Sequence, residues 1–176
     1  YLVPALLSGK KILSSTGTKH LQDQLFHRDL PLIRTALGRP VTTALLKGRA
    51  NYLCLHRLAS AELEGRFGSR REAGDLTRIR AWAGRTHSGD IGEMSEVSED
   101  STVWPRVTST PENCLGGQCR EYDDCHVNRA RREALAADVL VVNHHLFFAD
   151  LALREEGFAQ LLPGVEVVIF DEAHQL

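Results

Sequence analysis

The chain lacks the features of a membrane protein, of a secreted disulfide scaffold and of a strongly charged nucleic-acid binder. Its apolar runs are far shorter than the about 20 residues that cross a bilayer, and no basic leader opens the sequence. Only 6% of its residues are aromatic and the formal net charge is −2, so no global basic field points to a polyanionic partner. We expect a cytoplasmic protein with no membrane partner, in which the four cysteine thiols stay reduced.

Four short apolar runs are present instead, and they have the continuous pattern of strands buried on both faces of a parallel sheet. They lie at residues 11–15, 41–46, 139–142 and 165–170. Between the first two, Thr18 is expected to cap a helix, and Pro31 to open a second helix that Gly38 ends. This order predicts an α/β fold with a parallel sheet.

Between the second and third runs, residues 47–137 interrupt the alternation of strands and helices, so we predict an inserted domain flanked by lobe segments 1–46 and 138–176. Asn51 is expected to cap one helix of the insert, and the spacing of Leu76, Ile79 and Ala83 predicts another. Residues 86–111 are expected to form a long ordered loop with little core of its own. We assign Tyr52, Trp82 and Trp104 to packing within this domain.

Every cysteine lies in the predicted insert. Cys54 is separated by fifty-nine residues from Cys114, which is followed at gaps of four and five residues by Cys119 and Cys125. Structural zinc is usually held by closely spaced cysteine pairs, and only one gap here has that length. One distant thiolate and three from an irregular loop suit an iron–sulfur cluster better. Zinc and unligated thiols remain as alternatives.

The last apolar run ends in Asp171-Glu172-Ala173-His174. Ligands of open α/β sheets bind at the carboxyl edge of the strands. An aspartate there can hold the magnesium ion that bridges nucleotide phosphates, and the adjacent glutamate can orient and deprotonate the attacking water. The alternative is an ordinary strand-end turn, in which acidic residues are also common.

These motifs carry a resemblance to a known group of motor proteins. The 171–174 sequence is similar to the Walker B (DEAH) box of superfamily 2 helicases, and the cysteines resemble those of the XPD-like branch with its iron–sulfur domain. Three further stretches resemble the bacterial DinG/YoaA group: SSTGTKHLQDQL at 14–25, LKGRANYLC at 46–54 and ADVLVVNHHL at 137–146. The paired His144 and His145 and the short first cysteine gap favour the YoaA side of that group.

The resemblance implies a RecA-like lobe of an ATP-dependent helicase that moves 5′ to 3′ on single-stranded DNA and unwinds forked or gapped duplexes. It implies that Asp171 coordinates Mg²⁺ of Mg-ATP, that Glu172 activates water and that His174 couples hydrolysis to movement. By the same resemblance the four cysteines hold a [4Fe–4S] cluster. The protein is expected to be a monomer, to associate with the nucleoid and to work with replication or repair proteins.

Candidate DNA contacts also follow from the resemblance. The family's motif Ia corresponds to the stretch that contains Thr16, Thr18, Lys19 and Gln22, where a helix start and a lysine suit a phosphate backbone. The path of the DNA strand between insert and lobe is expected to be lined by cations around the predicted insert: Lys47, Arg49, Arg57 and 129–132. A solvated surface is the alternative for each of these cations. For His144 and His145 a structural or coupling role is favoured over metal binding.

The sequence departs from the family pattern at both ends. It shows no glycine-rich phosphate loop and no second motor lobe, so we expect an inactive fragment of the first lobe. Two alternatives are a non-catalytic, redox-responsive iron–sulfur module that binds nucleic acid, and a structural zinc domain on an unrelated α/β scaffold.

Overall fold

The computed structural model describes residues 1–155 and 162–175, and the chain divides into two compact units. Unit 1 consists of Tyr1–Lys47 and Ala130–Leu176, and unit 2 is Gly48–Arg129. The predicted insert, 47–137, contains all of unit 2 and also a segment that belongs to unit 1. No helix within 1–155 or 162–175 has both the length and the apolarity to cross a membrane.

Unit 1 is built on a four-stranded sheet in which all neighbouring strands are parallel. Its strands are β1 (Ile12–Thr16), β2 (Thr43–Leu45), β3 (Val139–Asn143) and β4 (Val167–Phe170). Their spatial order is β2-β3-β1-β4, and Ser15 of β1 lies opposite Val142 and Phe170. The predicted α/β class, the parallel sheet and the four strand positions are confirmed.

Eight α-helices lie in the described residues, together with several shorter turns of helix. They are α1 (Leu2–Leu7), α2 (Lys19–Gln24), α3 (Leu30–Leu37), α4 (Leu55–Glu64), α5 (Arg70–Ala83), α6 (Trp104–Val107), α7 (His126–Ala136) and α8 (His144–Glu155). A π-helical turn, Leu25–Asp29, joins α2 to α3.

The helical run that follows β1 begins and ends where the sequence predicts. The Thr18 hydroxyl accepts a hydrogen bond from the Leu21 amide at 3.2 Å, and Gly38 ends α3 with a left-handed backbone at φ 61°. The two predicted helices are present as α2 and α3, with Pro31 in the first turn of α3, and the π turn joins them into one continuous run. Pro31 has no N–H to donate, and the wider turn lies immediately before it.

Burial within the sheet differs between its centre and β4. All of β1 and the first four residues of β3 are buried, as their continuous apolarity predicts. In β4, however, Val168 and Phe170 are 40% and 36% exposed, so burial on both faces is wrong for this strand. Among the described residues β4 pairs only with β1, and the aromatic rings of α8 cover its outer face in part.

Unit 2 has its own apolar core. Its buried members include Leu53, Leu58, Ala61, Leu76, Ile79, Trp82, Met94, Val97, Val103, Trp104 and Val107. The predicted helix around Leu76 and Ile79 is confirmed as α5, which Ser69 caps. The packing role of Tyr52, Trp82 and Trp104 is also confirmed, since each is at most 9% exposed.

Two expectations for unit 2 are wrong. The 86–111 segment supplies five members of the core just described: Met94, Val97 and Val103, which precede α6, and Trp104 and Val107, which lie in α6. Asn51 does not cap the first helix. The backbone is extended at Tyr52 and Leu53, which bridge to Asp90 and Thr108, and α4 begins only after Cys54.

Candidate functional site

The acidic motif of unit 1 lies directly after β4, at the carboxyl edge of the parallel sheet. The sheet pairing continues one residue beyond the strand, because the Asp171 amide donates to the Ser15 carbonyl at 2.9 Å. The first acidic residue is therefore fixed by the backbone of the neighbouring strand. This is the edge at which ligands of open α/β sheets bind.

Two hydrogen bonds also hold the carboxylate of Asp171. The Tyr1 hydroxyl donates to Asp171 Oδ2 at 2.9 Å, and the Glu172 amide donates to Oδ1 at 3.2 Å. Burial, followed by the hydrogen bond to Asp171, raises the pKa of Tyr1 to about 12, so the hydroxyl keeps its proton at neutral pH. The sequence analysis missed Tyr1, which lies 170 positions from its partner and carries no motif.

Glu172 is the one non-glycine residue in the described chain with a positive φ, 54°. Its backbone lies in the left-handed region, which residues with a Cβ adopt only rarely. Ala173–Gln175 then form a turn of 3-10 helix, with His174 exposed. Two adjacent carboxylates on a fixed backbone are suited to a hard cation and an attacking water.

The paired histidines at the start of α8 have different environments. His144 is 7% exposed, with Nδ1 2.7 Å from the Ser15 hydroxyl and Nε2 3.1 Å from the Asp171 carbonyl. His145 is exposed. The sequence alone did not separate these two residues or indicate Ser15 as a partner.

Three of the candidate DNA contacts in unit 1 are buried. Thr16 and Gln22 are fully buried, and the Gln22 amide donates to the Leu46 carbonyl at 3.0 Å. Lys47 is 5% exposed and forms an ion pair with Asp23 at 2.7 Å. In this structure these three side chains support the fold of the sheet edge and do not present polar atoms to a nucleic acid.

Thr18 and Lys19 are exposed, at the start of the helix that follows β1. Thr18 caps that helix, so its hydroxyl already has a partner. Lys19 is thus an exposed cation close to the carboxyl end of β1. Arg49 belongs to unit 2, where its Nη1 lies 2.9 Å from Cys114 Sγ.

The four cysteines of unit 2 are free and half-buried. Cys54 precedes α4, Cys125 precedes α7, and Cys114 and Cys119 flank a short 3-10 turn, Gly116–Gln118. Among the residues that the structure describes, no three His, Cys, Asp or Glu side chains form a group that could hold a metal ion.

The chemistry of the donor set nevertheless fits a thiolate-ligated group. Burial raises the pKa of the Cys54 thiol, and the charges of Cys125, Cys119 and Cys114 raise it further. A thiolate at this position is therefore disfavoured unless a positive charge or a metal compensates it. Arg49 and the Gly116 amide, 3.4 Å from Cys114 Sγ, are donors that would compensate negative charge on sulfur.

A buried histidine adjoins the last cysteine. His126 is 4% exposed and neither ring nitrogen has a hydrogen-bond partner among the described residues. Burial, followed by the charge of Arg129, lowers the pKa of His126. Its ring packs directly on Gly89, at φ 67°, where a Cβ would overlap it. No sequence pattern indicated this contact.

The sequence similarities agree with the order of these motifs. Over all 176 residues the chain is 54% identical to the ATP-dependent DNA helicase YoaA of Haemophilus influenzae and 52% identical to that of Escherichia coli. Over its whole length the chain is similar to the DinG/YoaA helicases. The ATP-dependent helicase DinG of Mycobacterium tuberculosis is 34% identical over the whole chain, a lower value than either YoaA, as the paired histidines predict.

This chain spans 28% of the length of the two YoaA relatives and 29% of that DinG protein. No protein-family model matches it. The DinG/YoaA similarity therefore concerns one portion of these longer helicases.

Proposed function

We propose that this chain is the part of an ATP-dependent DNA helicase that carries the DEAH box and an iron–sulfur domain. The observation that supports it most is the acidic pair at the carboxyl edge of the sheet, with Asp171 bonded through its amide, its carbonyl and both carboxylate oxygens. A magnesium ligand needs such a fixed position, because Mg²⁺ demands near-ideal octahedral geometry.

In this proposal each residue of the DEAH box has one role. Asp171 binds the Mg²⁺ of Mg-ATP, and Glu172 orients the attacking water and accepts its proton. His174, exposed in the turn that follows, transmits the hydrolysis state to the DNA-binding surface. ATP also needs a phosphate-binding loop, which the 176 residues do not contain, so the chain by itself is proposed to be inactive.

Cys54, Cys114, Cys119 and Cys125 are proposed to hold a [4Fe–4S] cluster. The cluster would order residues 111–125, which contain no buried residue, and would change the net charge of unit 2. The chain's own contribution is the four thiolates, the Arg49 guanidinium directed at Cys114 and the amide of Gly116. The free thiols and these donors support the assignment.

Single-stranded DNA is the proposed substrate, and the helicase is proposed to translocate along it 5′ to 3′ during replication or repair. Lys19 is the motif Ia residue that supports this best, since it is exposed beside the acidic edge of the same sheet, one strand away from Asp171. Such a cation would contact the phosphate backbone and carry no sequence information.

The first test uses the full-length protein, purified anaerobically. Single-stranded DNA should stimulate ATP hydrolysis, and Glu172→Gln should lower kcat about 10²- to 10⁴-fold, the contribution of a general base. Glu155→Gln, which alters an exposed carboxylate of the same unit, is the matched control and should keep wild-type kcat. Full activity in Glu172→Gln would remove that residue from the mechanism.

The metal content is tested on the same preparation. Iron and acid-labile sulfide in equal amounts, about four of each per chain, would support the cluster. One zinc without sulfide would instead favour the structural zinc domain. An intact cluster together with no DNA-stimulated hydrolysis would favour the non-catalytic, redox-responsive module.

A further inference from the structure

The imidazole of His144 joins the ends of two strands at the acidic edge of unit 1. It is 7% exposed, and its two nitrogens face two different groups. Nδ1 lies 2.7 Å from the Ser15 hydroxyl at the end of β1, and Nε2 lies 3.1 Å from the Asp171 carbonyl after β4. Neither the resemblance nor the DEAH box assigns a role to this contact.

The partners determine the tautomer of the ring. A carbonyl oxygen only accepts, so the Nε2 atom must carry hydrogen and donate to Asp171. In the neutral ring Nδ1 is then an acceptor, and the Ser15 hydroxyl donates to it. Both polar atoms of this buried ring are satisfied in a single orientation.

The carbonyl that His144 binds belongs to the peptide that links the two acidic residues. The plane of this peptide sets where the Asp171 carboxylate and the Glu172 side chain point. On the other side of the peptide, the Glu172 amide donates to Asp171 Oδ1 at 3.2 Å. Glu172 itself has a φ of 54°, a conformation that the surroundings must hold in place.

We propose that His144 is a positioning residue for the catalytic acids: its Nε2–H fixes the Asp171–Glu172 peptide, while Ser15 fixes the ring. This inference rests on the proposed function, because it assigns a role to a residue that acts through Asp171 and Glu172. His144 touches neither nucleotide nor water in this role. Its effect is on the geometry that the two carboxylates present to Mg²⁺ and water.

Two substitutions separate the two nitrogens. In His144→Gln the side-chain amide reaches the position of Nε2 and can still donate to the Asp171 carbonyl. In His144→Asn the shorter amide reaches only the position of Nδ1, so it keeps Ser15 as a partner and loses Asp171. His145→Asn, at the exposed neighbouring position, is the matched control.

The readouts are kcat and KM for DNA-stimulated ATP hydrolysis and the melting temperature of the full-length protein. We expect His144→Asn to lower kcat about 10- to 100-fold, the usual effect of losing a residue that orients a ligand, with KM changed less than about threefold. His144→Gln should stay within about threefold of wild type, and His145→Asn should equal it. Ser15→Ala should have an intermediate effect.

Wild-type kcat in His144→Asn would overturn the proposal. The proposal would also be overturned if His144→Asn and His144→Gln lost kcat equally and both losses matched a fall in melting temperature. A purely structural role predicts that outcome. If the wild-type protein hydrolyses no ATP, the proposed function fails, and imidazole ¹⁵N spectra still decide the contact. An Nε2–H tautomer supports the bridge, and an Nδ1–H tautomer overturns it.

Discussion

The two candidate sites of this chain are held by different means. In unit 1 the backbone of β1, a strand that is buried throughout, and three side-chain or local contacts hold Asp171. In unit 2 the segment that carries Cys114, Cys119 and Cys125 has no buried residue from 111 to 125 and only one short 3-10 turn. The acidic site is thus formed by the fold, whereas little packing holds the thiol segment, and the proposed cluster would supply its order.

The largest effect should come from removing one thiol. Cys119→Ser in the full-length protein should lower the iron and sulfide content and make the 111–125 segment roughly tenfold more sensitive to protease, because little packing holds it otherwise. Anaerobic metal analysis and timed proteolysis measure both effects. Gln118→Ser, at an exposed position in the adjoining turn, is the control. Unchanged proteolysis in a metal-free Cys119→Ser protein would show that the segment is ordered without the cluster.

A second variant tests whether all of unit 2 is loosely held. Gly89 packs on the His126 ring at φ 67°, so Gly89→Ala combines overpacking of about 1–3 kcal/mol with a backbone cost of about 1–2 kcal/mol. Gly116→Ala is matched in φ, at 55°, but has no atom near the added methyl group, so only the backbone cost applies. Urea unfolding measures both free energies. Equal losses would mean that the His126 contact contributes nothing to the packing of unit 2.

The smallest expected change in unfolding free energy comes from Asp138, an exposed carboxylate of unit 1. Asp138 Oδ2 accepts from the Thr42 amide at 2.8 Å and from its hydroxyl at 2.7 Å, and these bonds lower the pKa of Asp138. A lowered folded-state pKa adds stability above the unfolded value of about 3.9 and loses it as pH falls through the folded value. Asp138→Asn should therefore cost under about 1 kcal/mol at pH 7, and this cost should shrink as pH falls below about 3.9. Unfolding free energies of both proteins across this range test the difference, and a constant gap would contradict it.

Much of the unit 1 fold could be predicted because it depends on local signals. Continuous apolar runs located the four strands, Thr18 and Gly38 marked the ends of the helical run, and the acidic pair followed a strand. The features that could not be predicted concern tertiary contacts. Thr16 and Gln22 are polar residues in a motif, but the sheet buries both, and sequence spacing gives no measure of that.

The contacts that define the sites were the least predictable. Ser15 and His144 are 129 positions apart, and Arg49 and Cys114 are 65 apart, so neither pair forms a pattern within a sequence window. The adjacent His144 and His145 are chemically identical, and only the direction of α8 makes one buried and the other exposed. In unit 2, the 86–111 segment looked like a loop because its apolar residues are scattered among turns and lack the period of a helix or strand.

Because the backbone at Glu172 is left-handed, stability favours glycine at this position, whereas the proposed activity requires a carboxylate there. A glutamate at φ 54° carries about 1–2 kcal/mol of conformational cost, which glycine at the same position would not have. Selection for folding alone would therefore favour glycine there, and selection for the hydrolysis in which Glu172 is proposed to act would oppose it. In a library screened only for thermal stability, position 172 is where function would be lost while the protein improves.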